Sequence, residues 1–387
     1  MDHAGRIARV REEMARRGIG LLYLPFGSDA AWLTGLGHEV PNPTVSNRPG
    51  DVVAGLYLGP ERGPVAISPR MGGEGARADA ADKPWVEDVV VLGEPADYEA
   101  AMRAVVERLR DRRGSVAVAD RSWGATVLAL QRALPGAEFA SASAIVAPLR
   151  AIKDADELAV MRRAAALTDE VYAEILPQLR LGVTEREVAA EIERQFLLRG
   201  ASSPSFHTAI LFLGGNSPRS RGEAAYSGPL AQPLERGMGV AFDFGAVLDG
   251  YCSDFGRTVF VGEPDEECRR VYDLIIRSQG AAIAAMHAGA LTCAQADRIT
   301  RGMIEEAGYG AGFTHRLGHA IGRDVHEWPS LMAGEETVLQ AGMTFTVEPS
   351  VLLPGKAFVR IEDVVHVTAD GAENFMRSPR ELTVVGE

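Results

Sequence analysis

Two β-ribbons, each carrying a pair of carboxylates into apolar sequence, constrain this chain more than any other feature. The first, VAFDFGAVLDGYCSDFGRTVFV (240–261), has β-type runs on both sides of Val247–Leu248–Asp249–Gly250. Asp-Gly is a strong two-residue hairpin signal. Whether the turn centres on Asp249–Gly250 or one residue earlier, Asp243 and Asp254 project from one face of the ribbon, directly or diagonally opposed. The second ribbon, TFTVEPSVLLPGKAFVRIEDVVHV (344–367), turns at Pro354–Gly355–Lys356. Glu348 and Glu362 are equidistant from Gly355, so an in-register hairpin makes them face each other. An unpaired charge among such apolar neighbours costs several kcal/mol, and like charges in contact force some to protonate. A solvated face, or pairing with Arg257 or Arg360, would account for one such residue. Two facing pairs near a histidine cluster call for divalent metal.

That cluster is FTHRLGHAIGRDVHEWPS (313–330), where His315, His319 and His326, three of the eight histidines, fall close together and are followed by Glu327. Gly318 and Gly322 argue for a strand or loop over a regular helix, and the run lacks the HExxH zinc pattern. Four carboxylates balance two divalent ions, with room for a bridging hydroxide held by two Lewis acids. One neutral imidazole in an oxygen-rich set suits Mn²⁺, Co²⁺ or Zn²⁺ better than a thiolate-bound metal. Cys252 is at odd spacing from both aspartates and is expected on the opposite side of the sheet.

At 387 residues the chain exceeds one compact core, and about two domains are expected. Residues 4–17 read as an amphipathic helix, followed by strand-like runs at LLYLP, 52–59, 64–68, 88–92 and 115–120, with helices at 97–112 and 124–134. This is an α/β domain ending near Ala147–Pro148, giving domains 1–148 and 149–387. Its GGEG run (72–75) lacks the strand–turn–helix frame of a cofactor loop. The second domain opens with a long helical pattern over 149–179. Thr184 with Glu187 then forms a capping box that starts another helix. The same grammar returns with a helix over 267–288 and a second box at Thr292 and Gln295. Helix, turn, helix and apolar glycine-containing strand thus occur twice, as in an internal duplication.

The net charge of −13 argues against a nucleic-acid partner. Cys252, Cys268 and Cys293 show no CxxC spacing, which fits a reducing compartment. A charged N-terminus without an apolar leader core, and the lack of a membrane-length apolar run, make the cytoplasm the expected location. Lysine occurs only at Lys83, Lys153 and Lys356, read here as a compositional bias toward arginine.

The motifs DFGAVLDGYCSDFGRT, HRLGHAIGRDVHE, TVEPSV and VRIEDVV, in that order, closely resemble those of the pita-bread metallohydrolases: aminopeptidase P, prolidase, methionine aminopeptidase and the metal-free creatinase. AAWLTGL (30–36) resembles the N-terminal domain of creatinases and prolidases, and LRAIKDADELAVMRRAA (149–165) the start of their catalytic domain. The resemblance implies an α/β N-terminal domain and an α+β pita-bread catalytic domain with a pseudo-twofold repeat. It implies that Asp243 chelates one metal, that Asp254 and Glu362 bridge both, and that His319 and Glu348 bind the other. Glu348 would also shuttle the proton, His326 would meet the scissile carbonyl or oxyanion, His315 would serve the substrate pocket, and Arg360 would orient Glu362. Two ions are implied, Mn²⁺ first and Co²⁺ or Zn²⁺ as substitutes, in a homodimeric Xaa-Pro aminopeptidase or dipeptidase. A metal-dependent hydrolase or lyase of a small non-peptide substrate is the alternative. One departure stands out: Tyr226 occupies a position where these peptidases usually carry histidine, within a longer loop (214–229). Arg219 or Arg221 is expected either to meet a substrate carboxylate there or to lie in an exposed basic loop.

Overall fold

The computed structural model describes residues 1–37, 50–219 and 228–386, which form two compact units, Met1–Arg150 and Ala151–Glu387. In the first, six strands, β1 (Ile19–Leu24), β2 (Gly55–Leu58), β3 (Val65–Pro69), β4 (Asp88–Leu92), β5 (Ser115–Val118) and β6 (Phe139–Ser141), form one sheet in the order β4-β3-β2-β1-β5-β6. Both faces are apolar. Leu22, Leu24, Leu56 and Leu58 fill one core while Leu21, Tyr23, Tyr57 and Val65 fill the other, the period-two division a pleated strand imposes. Six helices accompany the sheet: α1 (His3–Arg16), α2 (Ser28–Thr34), α3 (Arg70–Ala80), α4 (Tyr98–Leu109), α5 (Gly124–Ala133) and α6 (Ser143–Ala151). The GGEG run lies inside α3, where Gly73 packs against Val91 so closely that a Cβ would stand 2.6 Å from it. Gly73 thus serves packing.

The second unit repeats one plan. Helices α7 (Ala155–Ile175) and α8 (Glu185–Leu198) precede strands β7 (Ser203–Pro204), β8 (Ala209–Leu213), β9 (Gly239–Phe244), β10 (Ala246–Leu248), β11 (Tyr251–Cys252) and β12 (Phe255–Val261). Helices α9 (Glu266–Ala285) and α10 (Cys293–Glu306) precede β13 (Gly318–Ala320), β14 (Glu327–Leu331), β15 (Thr344–Val347), β16 (Ser350–Leu353), β17 (Ala357–Arg360), β18 (Asp363–Val367), β19 (Ala372–Asn374) and β20 (Thr383–Val385). Aspartates Asp154 and Asp265 cap α7 and α9, and both expected capping boxes form at Thr184 and Thr292. Each of those threonines also makes an antiparallel bridge, to Pro233 and Val338 respectively. Even the sulfur acceptors repeat: Glu235 N–H donates to Met238 Sδ and Gln340 N–H to Met343 Sδ, both at 3.4 Å. The long helical pattern over 149–179 is in fact interrupted. The backbone N–H of Lys153 leaves the helix to reach Gly342 O at 2.9 Å, and the Asp154–Glu157 box starts α7 afresh. No helix among the described residues is long and apolar enough to cross a membrane.

The first carboxylate ribbon turns at Asp249–Gly250, with φ of 49° and 78°, the pair of positive values a type I′ turn requires. Leu248 pairs with Tyr251, and the same register runs on to Phe244↔Phe255 and Asp243↔Gly256. Asp243 and Asp254 are therefore diagonal neighbours. In the second ribbon Val347↔Asp363 and Ser350↔Arg360 share one register, so Glu348 and Glu362 stand directly opposite. They do not pair with each other. Pro349 has no N–H to offer, and the strands diverge at this point. Glu348 N–H donates to Leu317 O (2.8 Å), and Glu362 N–H to Gly256 O (2.9 Å). The second ribbon is thereby stitched to the histidine segment on one side and the aspartate ribbon on the other.

Gly256 is where the two ribbons meet. A Cβ there would lie 2.9 Å from Glu362 Cβ and 2.8 Å from Arg360 Cδ. Gly256→Ala must push the ribbons apart, and overpacking of this kind costs about 1–3 kcal/mol. Denaturant melts should register that loss.

Candidate metal centre

The crossing ribbons bring Asp243, Asp254, His319, Glu348 and Glu362 to the wall of one cavity of about 590 Å³, with His315, His326 and Arg360 beside them. Asp254, His319 and Glu362 each present one ligand atom within 4.8 Å of the others, and all three are buried. His319 Nε2 lies 3.5 Å from Asp254 Oδ2 and 3.4 Å from Glu348 Oε1. Its Nδ1 is 3.1 Å from Ala320 O. A donor is required there, so the proton belongs on Nδ1 and the Nε2 lone pair faces the carboxylates, the tautomer a metal ligand needs.

The electrostatics are those of a site short of positive charge. Burial first, then the Asp243 carboxylate, holds Asp254 well above the ordinary carboxylate range. Burial and then Asp254 do the same to Glu362, and burial raises Glu348. Burial also lowers His319, which keeps it neutral. Arg360 supplies a cation to the cluster: its guanidinium contacts Asp243, and lies 3.5 Å from Glu348 and 3.6 Å from Glu362. It thus serves three carboxylates, where sequence reasoning had assigned it to Glu362. One guanidinium cannot neutralise four carboxylates. Asp254 Oδ1 and Glu362 Oε2 are buried without a hydrogen-bond partner, an arrangement that ordinarily costs about 1–3 kcal/mol or more per group. Lone pairs left idle on two buried carboxylates, next to an imidazole lone pair, fit divalent cations.

Arg257 is no partner of these carboxylates. Fully buried, it donates to the main-chain oxygens of Gly256 (2.8 Å) and Glu362 (2.7 Å) and to Asp363 Oδ1 (2.7 Å). It clamps the crossing from behind. His326 stacks edge-on against His319, centroids 4.1 Å apart. His315 shares the cavity wall, with Nδ1 2.7 Å from Arg316 O and Nε2 2.5 Å from Ser350 Oγ. Burial, with Arg360 adding to it, pushes its pKa down to about 4, so it is a neutral polar group at working pH. Cys252 is buried, 3.6 Å from Arg323 O, and does not line the cavity.

Arg219 corrects the sequence reading. It is neither exposed nor directed at a ligand. Its guanidinium pairs twice with the buried Glu185, at 2.9 and 2.7 Å, and Glu185 also accepts from Phe212 N and Leu230 N. Glu185 lies on α8, far away in sequence, so no local pattern announces the pair. Tyr226 and Arg221 lie outside the described residues.

Sequence reasoning missed Lys153. Its ammonium is 3.0 Å from Glu327 Oε2, with both side chains buried. Glu327 Oε1 in turn accepts from Arg323 N (2.9 Å) and Asp324 N (3.2 Å). The pair anchors the segment that carries His326. The available signal was rarity: a lysine retained in a chain whose positive charge is almost all arginine. Lys153→Met removes the countercharge of a buried carboxylate, and breaking a buried pair costs about 3–5 kcal/mol. Urea denaturation should show a loss of that order, whereas Arg16→Met, at an exposed pair with Glu12, should lose under about 1 kcal/mol.

A duplicated helix–strand unit converging on buried carboxylates and a histidine, built for divalent metal, defines a metallopeptidase scaffold. Comparison with known proteins agrees. The pattern of Metallopeptidase family M24 matches residues 159–369, and that of the Creatinase/Prolidase N-terminal domain matches residues 6–152. A putative dipeptidase, YkvY, of Bacillus subtilis (strain 168) is 33% identical over 98% of this chain and 99% of its own length. The Xaa-Pro dipeptidase of Lactobacillus delbrueckii subsp. lactis is 34% identical, over 85% of this chain and 88% of its own. Among solved structures, an Xaa-Pro dipeptidase from Bacillus anthracis is similar, with a TM-score of 0.86 and 30% identity, covering 99% of this chain and 100% of its own. The chain belongs to metallopeptidase family M24.

Proposed function

We propose that this enzyme is a Xaa-Pro dipeptidase whose metal pair is held by Asp243, Asp254, His319, Glu348 and Glu362. The observation that carries the reading is the pair of idle buried oxygens, on Asp254 and Glu362, at the meeting point of the two ribbons. The names of the similar proteins support the substrate class, and a cavity of about 590 Å³ is of small-ligand size.

Asp243 would chelate one ion, His319 and Glu348 the other, and Asp254 and Glu362 would lie between them. When bound, the ions supply Lewis acidity to the scissile carbonyl and acidify the attacking water. Glu348 takes the proton released by that water and returns it to the leaving amine. Glu348 lines the cavity with its Oε1 3.4 Å from His319 Nε2, beside the place where that proton is released. His326, held against His319, hydrogen-bonds the oxygen on which negative charge grows. His315 contacts the substrate, and Arg360 keeps Asp243, Glu348 and Glu362 in position. One nitrogen among oxygen ligands favours manganese, with cobalt or zinc able to substitute. We further place the enzyme in the cytoplasm as a homodimer; its three buried cysteines, none of them in a disulfide, support a reducing setting.

The test is a matched set with manganese: Ala-Pro, Ala-Ala and the tripeptide Ala-Pro-Ala. Ala-Pro should be cleaved at least tenfold faster, in kcat/KM, than either of the others. Equal rates on the tripeptide would shift the assignment to an aminopeptidase. Hydrolysis of none, with full metal occupancy, would end the peptidase reading.

A further inference from the structure

The strands of the second ribbon diverge at Glu348 and Glu362, and one side chain fills the opening. Gln279 of α9 is fully buried. Its Nε2 lies 2.8 Å from Val347 O, 3.3 Å from Ile361 O and 3.2 Å from Asp363 Oδ2. The two carbonyls belong to the residues immediately before Glu348 and Glu362. The amide cannot be turned over, because Oε1 accepts from the guanidinium of Arg380. Asp363 is fixed too, by Arg257 at 2.7 Å and by Asn374 at 2.9 Å.

The other half of the duplication has a counterpart. Thr168 stands on α7 where Gln279 stands on α9, each fourteen residues beyond the capping aspartates Asp154 and Asp265. Thr168 is also fully buried. Its hydroxyl donates to Ala164 O (2.9 Å) and lies 2.6 Å from Ser253 Oγ, and Ser253 immediately precedes Asp254. Ser253 Oγ in turn accepts from Ala246 N at 2.9 Å. In each half, then, one polar side chain from the first helix grips the ribbon at the residue preceding a carboxylate with an idle buried oxygen.

We propose that Gln279 and Thr168 are positioning residues that set the separation of the opposed carboxylates, and so the affinity of the centre for its ions. Neither touches substrate or reacting atoms. Gln279 wedges the second ribbon open so that Glu348 and Glu362 present their oxygens to the cavity; Thr168 fixes the corresponding point of the first. A bond network that orients metal ligands typically contributes about 10–100-fold to metal affinity.

The inference rests on the metal reading of the site, and the experiment separates the two. Manganese binding to Gln279→Met, Gln279→Asn, Thr168→Val and Thr168→Ser is measured by calorimetry, and the cobalt-loaded proteins are compared by visible absorption. A Thr300→Val control removes another buried bond, to Ser278 O at 3.1 Å in the same helix pair, without touching either ribbon. Gln279→Met, Gln279→Asn and Thr168→Val should each weaken manganese binding by about 10-fold or more and shift the cobalt spectrum. Thr168→Ser keeps the hydroxyl and should retain wild-type affinity, as should Thr300→Val. Wild-type affinity and spectra in either Gln279 variant and in Thr168→Val, while the wild-type protein takes up two ions, would overturn this inference alone. A wild-type protein that takes up no manganese or cobalt would sink the metal reading and the inference with it.

Discussion

Replacing Asp254 with asparagine abolishes hydrolysis and leaves the fold standing. The substitution keeps the shape of the side chain and removes one charge from the most crowded carboxylate of the centre. In the native chain its Oδ1 is buried with no hydrogen-bond partner, so few protein contacts are lost. What is lost is the charge between the two proposed ion positions. Metal-derived stabilisation of a transition state amounts to several kcal/mol, and each 1.36 kcal/mol is tenfold in rate. Turnover should therefore fall by at least about 10³-fold. Stability should change with the opposite sign. Without metal, burial and the like charge of Asp243 oppose ionised Asp254, so chelator-treated Asp254→Asn should melt above chelator-treated wild type at pH 8. Retained turnover with manganese would refute the central role of Asp254. A lower melting temperature of the metal-free variant would refute the electrostatic account of the cluster.

Removing the metal exposes the second large effect, a stability that depends on pH. In the metal-free protein the folded-state pKa values of Asp254, Glu348 and Glu362 are raised, chiefly by burial. Above the ordinary carboxylate range, near pH 4, the folded chain thus holds more protons than the unfolded one. Its stability falls as pH rises through that window. His319 and His315 act in the opposite direction, since burial lowers both. Their contribution is present above about pH 6.5 and is lost as pH drops below it, His315 only completing its loss near pH 4. Bound ions require deprotonated carboxylates and a neutral imidazole, so both groups of residues make metal binding stronger as pH rises. The gap in melting temperature between manganese-loaded and metal-free protein should widen from pH 5 to pH 8. At a free ion concentration 100 times Kd, each site adds about 2.7 kcal/mol. For a unit of this size that is about 2–4 °C per kcal/mol, so a pair should raise the melting temperature by about 10 °C or more at pH 8. Calorimetry in two buffers of different ionisation enthalpy should show protons released on binding. A gap that stays constant with pH would contradict the ionisation pattern of the site.

Particular elements show how far the sequence could be read. Capping boxes at Thr184 and Thr292 were legible because a capping residue and its partner lie three apart, and the bond they make depends on little else. The duplication followed from the same local signals. Glu348 and Glu362 could be placed opposite each other from their distances to Gly355. For the aspartate ribbon, parity established the shared face but left two registers open, and the backbone at Asp249–Gly250 chose the diagonal one. The pattern over 149–179 suggested one helix, since nothing local reveals that Lys153 N–H is drawn to Gly342 O.

Alone, the sequence determined the two ribbons, their paired carboxylates, the histidine segment and the need for positive charge among them. Those follow from turn geometry, side-chain alternation and the cost of burying like charges, all of which act over a few residues. Tertiary structure alone decided which groups answer that need. It brought Arg360 against three carboxylates, turned Arg257 to the backbone, paired Arg219 with Glu185 and Lys153 with Glu327, and set Gln279 in the opening of the second ribbon. The chain offers many arginines and many carboxylates. Which of them meet depends on the packing of whole helices and ribbons, and burial makes each pairing costly to exchange once formed.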